Sequence, residues 1–236
     1  MAFSQGSRSR LSPRDLPRFA TDSLFDRLGR AVCRSDCLPR KELYEAWEVA
    51  RRTRRRLRGG RVVDLAAGHG LLAYAMLLLD DSSPSALVVD RRLPLSAARL
   101  ADELVRTWPR LEGRVSAVEG ALEDVVLDGT ALVVSVHACG ALTDRVIDLA
   151  LAAGAPLAVL PCCHDAETCD QGSLGGWMDL PLAIDATRAL RLRAAGYEVH
   201  TQSIPAAITP KNRLLVARPS AALLGRASSV TARNAP

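Results

Sequence analysis

The sequence predicts an α/β protein whose seven-stranded, mainly parallel sheet ends in an antiparallel hairpin. Three observations carry that expectation. From residue 61 onward, short apolar runs alternate with helix-period stretches, as in strands joined by helical crossovers. The last two apolar runs are separated only by "PAAITPKN", too short for a helical crossover, so a hairpin must connect them. The chain has 236 residues, 48% of them apolar, which suffices for one sizeable core with an extension.

Residues 1–58 are expected to form a flexible arm and an N-terminal helical extension, residues 59–218 the main domain, and residues 219–236 a flexible tail. The first twenty residues hold serine, arginine and proline without a sustained period. "TDSLFDRLGRAVCR" then offers Thr21, Asp22 and Ser23 as N-caps and sets Leu24, Phe25 and Leu28 on one helical face. A second helix begins in "LPRKELYEAWEVARRTRRRL", where Pro39 suits the first turn and Leu43, Trp47, Ala50 and Leu57 recur at near-helical spacing. Arg51, Arg52, Arg54, Arg55, Arg56 and Arg58 crowd its C-terminal end, where cations meet the negative end of the dipole. That cluster reads either as a solvated helix end or as an RNA-binding surface.

The main domain follows element by element. "RVVDLAAG" is a strand and turn, "GLLAYAMLLL" a helix, "SALVVD" the second strand, "LPLSAARLADELVRTW" a helix and "RVSAVEG" the third strand. "ALVVSVH", a helix over about residues 143–153, "PLAVLPCC", a helix through "AIDATRALRLRAAG", and the hairpin strands "YEVHTQSI" and "RLLVAR" complete the series.

Composition narrows the function classes. No apolar run approaches the roughly 18 residues of a membrane helix, and no apolar stretch follows the arginines of "MAFSQGSRSR" as export would need. A cytoplasmic location without membrane contact is therefore expected, with the six cysteines reduced. The net charge of +5 permits a polyanionic partner such as RNA. Oligomeric state cannot be read from these residues.

The motifs lie at the carboxyl ends of the predicted strands, the edge where open α/β sheets bind ligands. In "VVDLAAGHG", Asp64, Gly68 and Gly70 form a strand-ending acid and a glycine turn that lets the backbone approach a ligand. Gly68, Gly70 and Ala73 also match a degenerate dinucleotide fingerprint, which leaves a nucleotide-dependent oxidoreductase or a non-catalytic binding module open. Asp90 ends the second strand, where an acid can accept hydrogen bonds from ribose hydroxyls. After the third strand come Ala121, Leu122, Glu123 and Asp124. After the fourth and fifth come "HACG" and "PCCH".

The D-x-x-x-G-x-G spacing resembles motif I of class I S-adenosylmethionine-dependent methyltransferases, Rossmann-like enzymes whose seven-stranded sheet closes with such a hairpin. Over about residues 61–170 the set "HACGALTDRVIDLAL" and "PCCH" resembles one group among them, that of the acceptor-stem tRNA ribose 2′-O-methyltransferases and related methyltransferase-like proteins. The chain looks like a compact bacterial-type member. The resemblance implies S-adenosylmethionine as methyl donor, bound by Asp64, Gly68, Gly70 and Asp90, with Ala121 and Leu122 bordering the adenine and Glu123 or Asp124 reaching its amino group. It gives His137, Cys139, Gly140, Asp144, Cys162, Cys163 and His164 the family's motif positions around the acceptor. Transfer from a sulfonium needs alignment above all. A ribose hydroxyl would also gain from a nearby base, His137 first and His164 second. Lys211, in the hairpin turn, could reach an acceptor phosphate. The acceptor is expected to be RNA, tRNA foremost, with a small molecule as the alternative. The N-terminal zinc module of the eukaryotic tRNA enzymes in this group has no counterpart before residue 60 beyond Cys33 and Cys37. No metal is expected, because Cys162 and Cys163, if part of a strand, would point to opposite faces.

Overall fold

Seven strands, β1 (Val62–Leu65), β2 (Ala86–Asp90), β3 (Val115–Glu119), β4 (Leu132–Ser135), β5 (Leu157–Val159), β6 (Tyr197–Ser203) and β7 (Arg213–Pro219), form one sheet in the computed structural model, which describes residues 4–225. Their order is β3-β2-β1-β4-β5-β7-β6. The first five run parallel, while β7 lies antiparallel between β5 and β6. The α/β class, the mainly parallel sheet and the closing hairpin are as the sequence predicts.

Side chains alternate across this sheet, and each face collects its own helices. Val62, Leu132, Val134, Ala158, Leu214 and Val216 pack with α1 (Leu24–Ser35), α2 (Arg40–Arg54), α3 (Leu71–Leu79) and α4 (Ala97–Thr107). Val63, Leu65, Val133, Leu157, Val159 and Ala217 pack on the other face with α5 (Ala141–Ala153), α6 (Leu180–Ala194) supplying Leu192. The central strands are therefore buried on both faces. Ser23 is the N-cap of α1, its Oγ accepting from Asp26 N at 3.1 Å.

The beginning of the chain departs from the expectation of a flexible arm. Leu11 and Phe19 are fully buried, each worth about 1.5–3 kcal/mol of transfer free energy. Backbone bonds from Leu11 N to Leu38 O (2.9 Å), Arg40 N to Ser9 O (3.0 Å) and Lys41 N to Ser7 O (3.0 Å) tie the arm to the start of α2. Two isolated apolar anchors have no period, so a pattern search overlooks them. At the other end Ser220 N donates to Gly196 O (3.1 Å) and Leu223 packs on the second core; residues 226–236 of the expected tail lie outside the described residues. Among the described residues no helix is long and apolar enough to cross a membrane.

Candidate active site

β1 delivers Asp64 to the carboxyl edge of the sheet, and the turn after it is conformationally demanding. Gly68 and Gly70 have φ of +56° and +74°, a region where L side chains are strained. A Cβ on Gly68 would meet nothing within 4 Å, whereas one on Gly70 would lie 2.8 Å from Val88 Cγ2. Gly68 thus borders open space. A side chain at Gly70 would run into Val88 of the sheet, so packing as well as the turn requires glycine there.

Asp64 is buried and has one bonded oxygen, with Ala73 N donating to Oδ2 at 3.2 Å. Its Oδ1 has no partner. Burial pushes this carboxyl up to about 8, with Asp90 adding to the rise. Asp64 shares a narrow cavity with Leu38, Glu42 and Ala46 from around α2, His69, and Val136 and His137 after β4. Burial and the neighbouring Glu45 lift Glu42 to about 7. The same burial, reinforced by Lys41, depresses His137 to about 4 and leaves its imidazole neutral at pH 7.

Glu42 is a site residue the sequence reading missed. The apolar period of α2 marks its buried face but cannot reveal that its first turn overhangs the end of β1. His69 was missed as well; its Nε2 lies 2.8 Å from Oγ of Ser96, the N-cap residue of α4.

Asp90 ends β2 as expected, and its carboxylate organises the turn: Gly68 N donates to Oδ2 (2.8 Å) and Arg92 N to Oδ1 (3.1 Å). Each carboxylate oxygen keeps a second lone pair for a hydroxyl. Leu122 is buried, in a single helical turn with Glu123 and Asp124 that follows Ala121. Glu123 itself pairs at the surface with Arg145 (3.5 Å).

The turns after β4 and β5 stand side by side because Ser135 pairs with Val159. They bring three thiols together: Cys139 Sγ lies 2.8 Å from Cys162 Sγ and 3.4 Å from Cys163 Sγ, and Lys211 Nζ stands 3.8 Å from Cys163 Sγ. The expectation that Cys162 and Cys163 point to opposite faces is overturned, since β5 stops at Val159 and strand alternation no longer applies beyond it. A hydrogen bond from Cys139, with help from Cys162 and Lys211, holds the Cys163 thiol below its ordinary range. Burial raises Cys139 and Cys162.

Two motif residues that the resemblance assigns to the acceptor side are engaged in ion pairs. Asp144 accepts from Arg188 Nη2 at 2.6 Å and Nε at 3.1 Å, which fixes α5 to α6. His164 has a buried side chain whose Nε2 bonds Asp185 Oδ1 at 2.9 Å, while its Nδ1 has no partner. Gly140 takes φ +57°, and its carbonyl joins the same network by accepting from Arg188 Nη2 at 3.0 Å.

A family model described as a methyltransferase domain matches residues 41–168, more than half of the chain. The chain belongs to that family, and S-adenosylmethionine is its methyl donor. An O-methyltransferase family protein from Burkholderia thailandensis has a similar structure, with a TM-score of 0.52 at 20% identity over 91% of this chain and 65% of that one. A protein from Nostoc punctiforme PCC 73102, assigned as an O-methyltransferase by inference, gives 0.50 at 18% identity over 86% and 67%. At these identities the likeness is one of fold, and this chain spans 65% of the Burkholderia protein's length. No curated protein matches the sequence.

The residues fit the donor. Asp64 Oδ1 is a buried acceptor lacking a donor, and with Glu42 it suits an amino acid's ammonium group. Asp90 suits the ribose and Leu122 the adenine face. When bound, the donor supplies a methyl group on a sulfonium that leaves readily.

An ammonium beside Asp64 and Glu42 favours their ionised forms. S-adenosylhomocysteine, which keeps that ammonium, should therefore release protons on binding near pH 7. Calorimetry in buffers of differing ionisation enthalpy reads the release as a slope, and a flat response would remove both carboxyls from donor contact.

Proposed function

We propose that the protein transfers the donor methyl to an oxygen of RNA, with a tRNA ribose 2′-hydroxyl as the acceptor that the motif set favours. The observation that carries this reading is Trp177, 88% exposed. It stands two residues before Asp179, the N-cap of α6, on the loop that leaves β5 at the catalytic edge. An exposed indole suits an unstacked base, and such stacking contributes about 1–3 kcal/mol per base. Lys211 and the exposed Arg91, Arg92 and Arg99 add cations on that edge for phosphates.

The arginine run of α2 supports the reading less than its length promises. Arg54 is buried against Met76 O, Ser83 Oγ and Asp80, and Arg51 and Arg52 both bind Glu48. Arg55 and Arg56 are exposed but lie about 20 Å along the helix from Glu42, at 1.5 Å per residue. Only an extended RNA would reach both ends.

Nucleosides of bulk tRNA from cells with and without the gene provide the test. One ribose-methylated nucleoside should disappear and return on complementation with the wild type, but poorly with Trp177→Ala. An unchanged tRNA profile, together with methyl transfer to a small hydroxyl compound, would favour the second reading.

A further inference from the structure

We propose that Cys139, Cys162 and Cys163 form a binding site for a thiophilic divalent cation, zinc by donor character, with a fourth coordination place open at the catalytic edge. The three sulfurs all lie within 4.8 Å of one another. Reduced cysteine usually packs as a small apolar side chain, as buried Cys33 does here. This trio differs. Cys139 is exposed and the other two are half-buried, so core packing does not account for their meeting, and thiols are too weak as hydrogen-bond donors to hold three loop residues together by themselves.

The geometry suits one ion. Separations of 2.8, 3.4 and 3.8 Å define a triangle whose circumradius is about 2.0 Å, below the zinc–sulfur bond length of about 2.3 Å. A single ion slightly out of the sulfur plane therefore reaches all three. The ligand-bearing turns follow neighbouring parallel strands, β4 and β5, so their spacing is set by the sheet and little ordering is left for the metal to impose.

Charge supports the same assignment. Three thiolates around a divalent cation leave one net negative charge, and Lys211 Nζ, 3.8 Å from Cys163 Sγ, offsets it while donating to a ligand sulfur. Cys169 and His164 are committed elsewhere: Cys169 Sγ accepts from Arg188 Nη2 at 3.6 Å, and His164 is bonded to Asp185. Three protein ligands with an open place describe a zinc site that can take up water or another oxygen ligand, in contrast to a closed structural site. A metal here stands whatever the acceptor proves to be.

The test uses the full chain purified without chelator, and cobalt(II) as spectroscopic probe. Elemental analysis should find about one zinc per chain, and cobalt substitution should give the intense thiolate charge-transfer and visible bands of a tetrahedral sulfur site. Cys139→Ser, Cys162→Ser and Cys163→Ser should each lose the metal, Cys169→Ser and Cys33→Ser should keep it, and Lys211→Met should weaken affinity by about 10–100-fold. Unchanged S-adenosylhomocysteine binding in the serine variants separates metal loss from unfolding. Should those variants fail to fold, alkylation of the wild type decides: zinc must protect the three thiols. Thiols that react equally with and without zinc, a Cys139–Cys162 disulfide in metal-free protein, or metal retained after loss of all three cysteines would each overturn the site.

Discussion

Replacing Arg188 with methionine should destabilise the fold by about 3–5 kcal/mol, the range for removing one partner from a buried ion pair. Its side chain is 2% exposed. From the inner face of α6 it donates to Asp144, to Gly140 O, and through Nη1 to Asp185 Oδ1 at 3.3 Å. Methionine has a comparable length but no donors, so Asp144 and Asp185 would each lose a cation. Burial alone would raise Asp185, but bonds from His164 and Arg213 hold it below the ordinary range. For a carboxyl with a depressed pKa, the stability it contributes is present above the unfolded value near 3.9 and fades as pH falls through the folded one. The network should therefore weaken in acid.

Urea unfolding of Arg188→Met should show a lower midpoint with the slope unchanged. The double variant Arg188→Met, Asp144→Leu should recover part of the loss, because it removes the carboxylate left with only the longer contact to Arg191 (3.8 Å). A single-variant loss below about 1 kcal/mol would mean that water replaces the guanidinium at little cost. Because the same guanidinium holds the Gly140 carbonyl, the variant should also loosen the turn that carries Cys139.

What the sequence disclosed and what it hid divide along the range of the interactions. Strands β1, β2, β4 and β5 were legible because each is a short, mainly apolar run, β3 from its place in the alternation of strands with helices, and the hairpin because eight residues cannot hold a crossover. Ser23 was legible as a cap from its place before the first apolar face. Asp64 and Asp90 were legible as strand-ending acids. Asp144 and His164 also stood at recognisable positions, but their roles depend on Arg188 and Asp185, more than twenty residues away along the chain, which no local pattern announces. Glu42 was hidden for a similar reason. The meeting of Cys139 with Cys162 and Cys163 depends on where β5 stops: it ends at Val159, four residues short of Cys163, and only a strand running through both cysteines would make them diverge.

His137→Ala should slow methyl transfer in a single turnover by about 10²–10⁴-fold, the range for loss of a general base, and leave donor affinity nearly unchanged. The imidazole lines the cavity that holds Asp64 and Glu42, and burial keeps it neutral down to about 4. A neutral ring offers a lone pair to a hydroxyl acceptor throughout the physiological range. Such a low pKa also makes it a weak base, so in the proposed reaction it would accept the hydroxyl's hydrogen bond and take the proton late, as the methyl carbon bonds to oxygen. The pH profile separates this from an ordinary histidine. With a pKa near 4 the rate should stay level from about pH 6 to 8, whereas a base titrating near 6.5 would lose most of its activity by about pH 5.5. The unfolded chain binds a proton on this ring below about 6.5 that the native ring refuses until about 4, so its contribution to stability falls as pH drops through that window. His137→Gln adds a second discrimination: a residue that only orients the hydroxyl should be largely replaced by the amide oxygen, but one that takes the proton should not. Full turnover in His137→Ala would reduce the turn after β4 to a support for its cysteine.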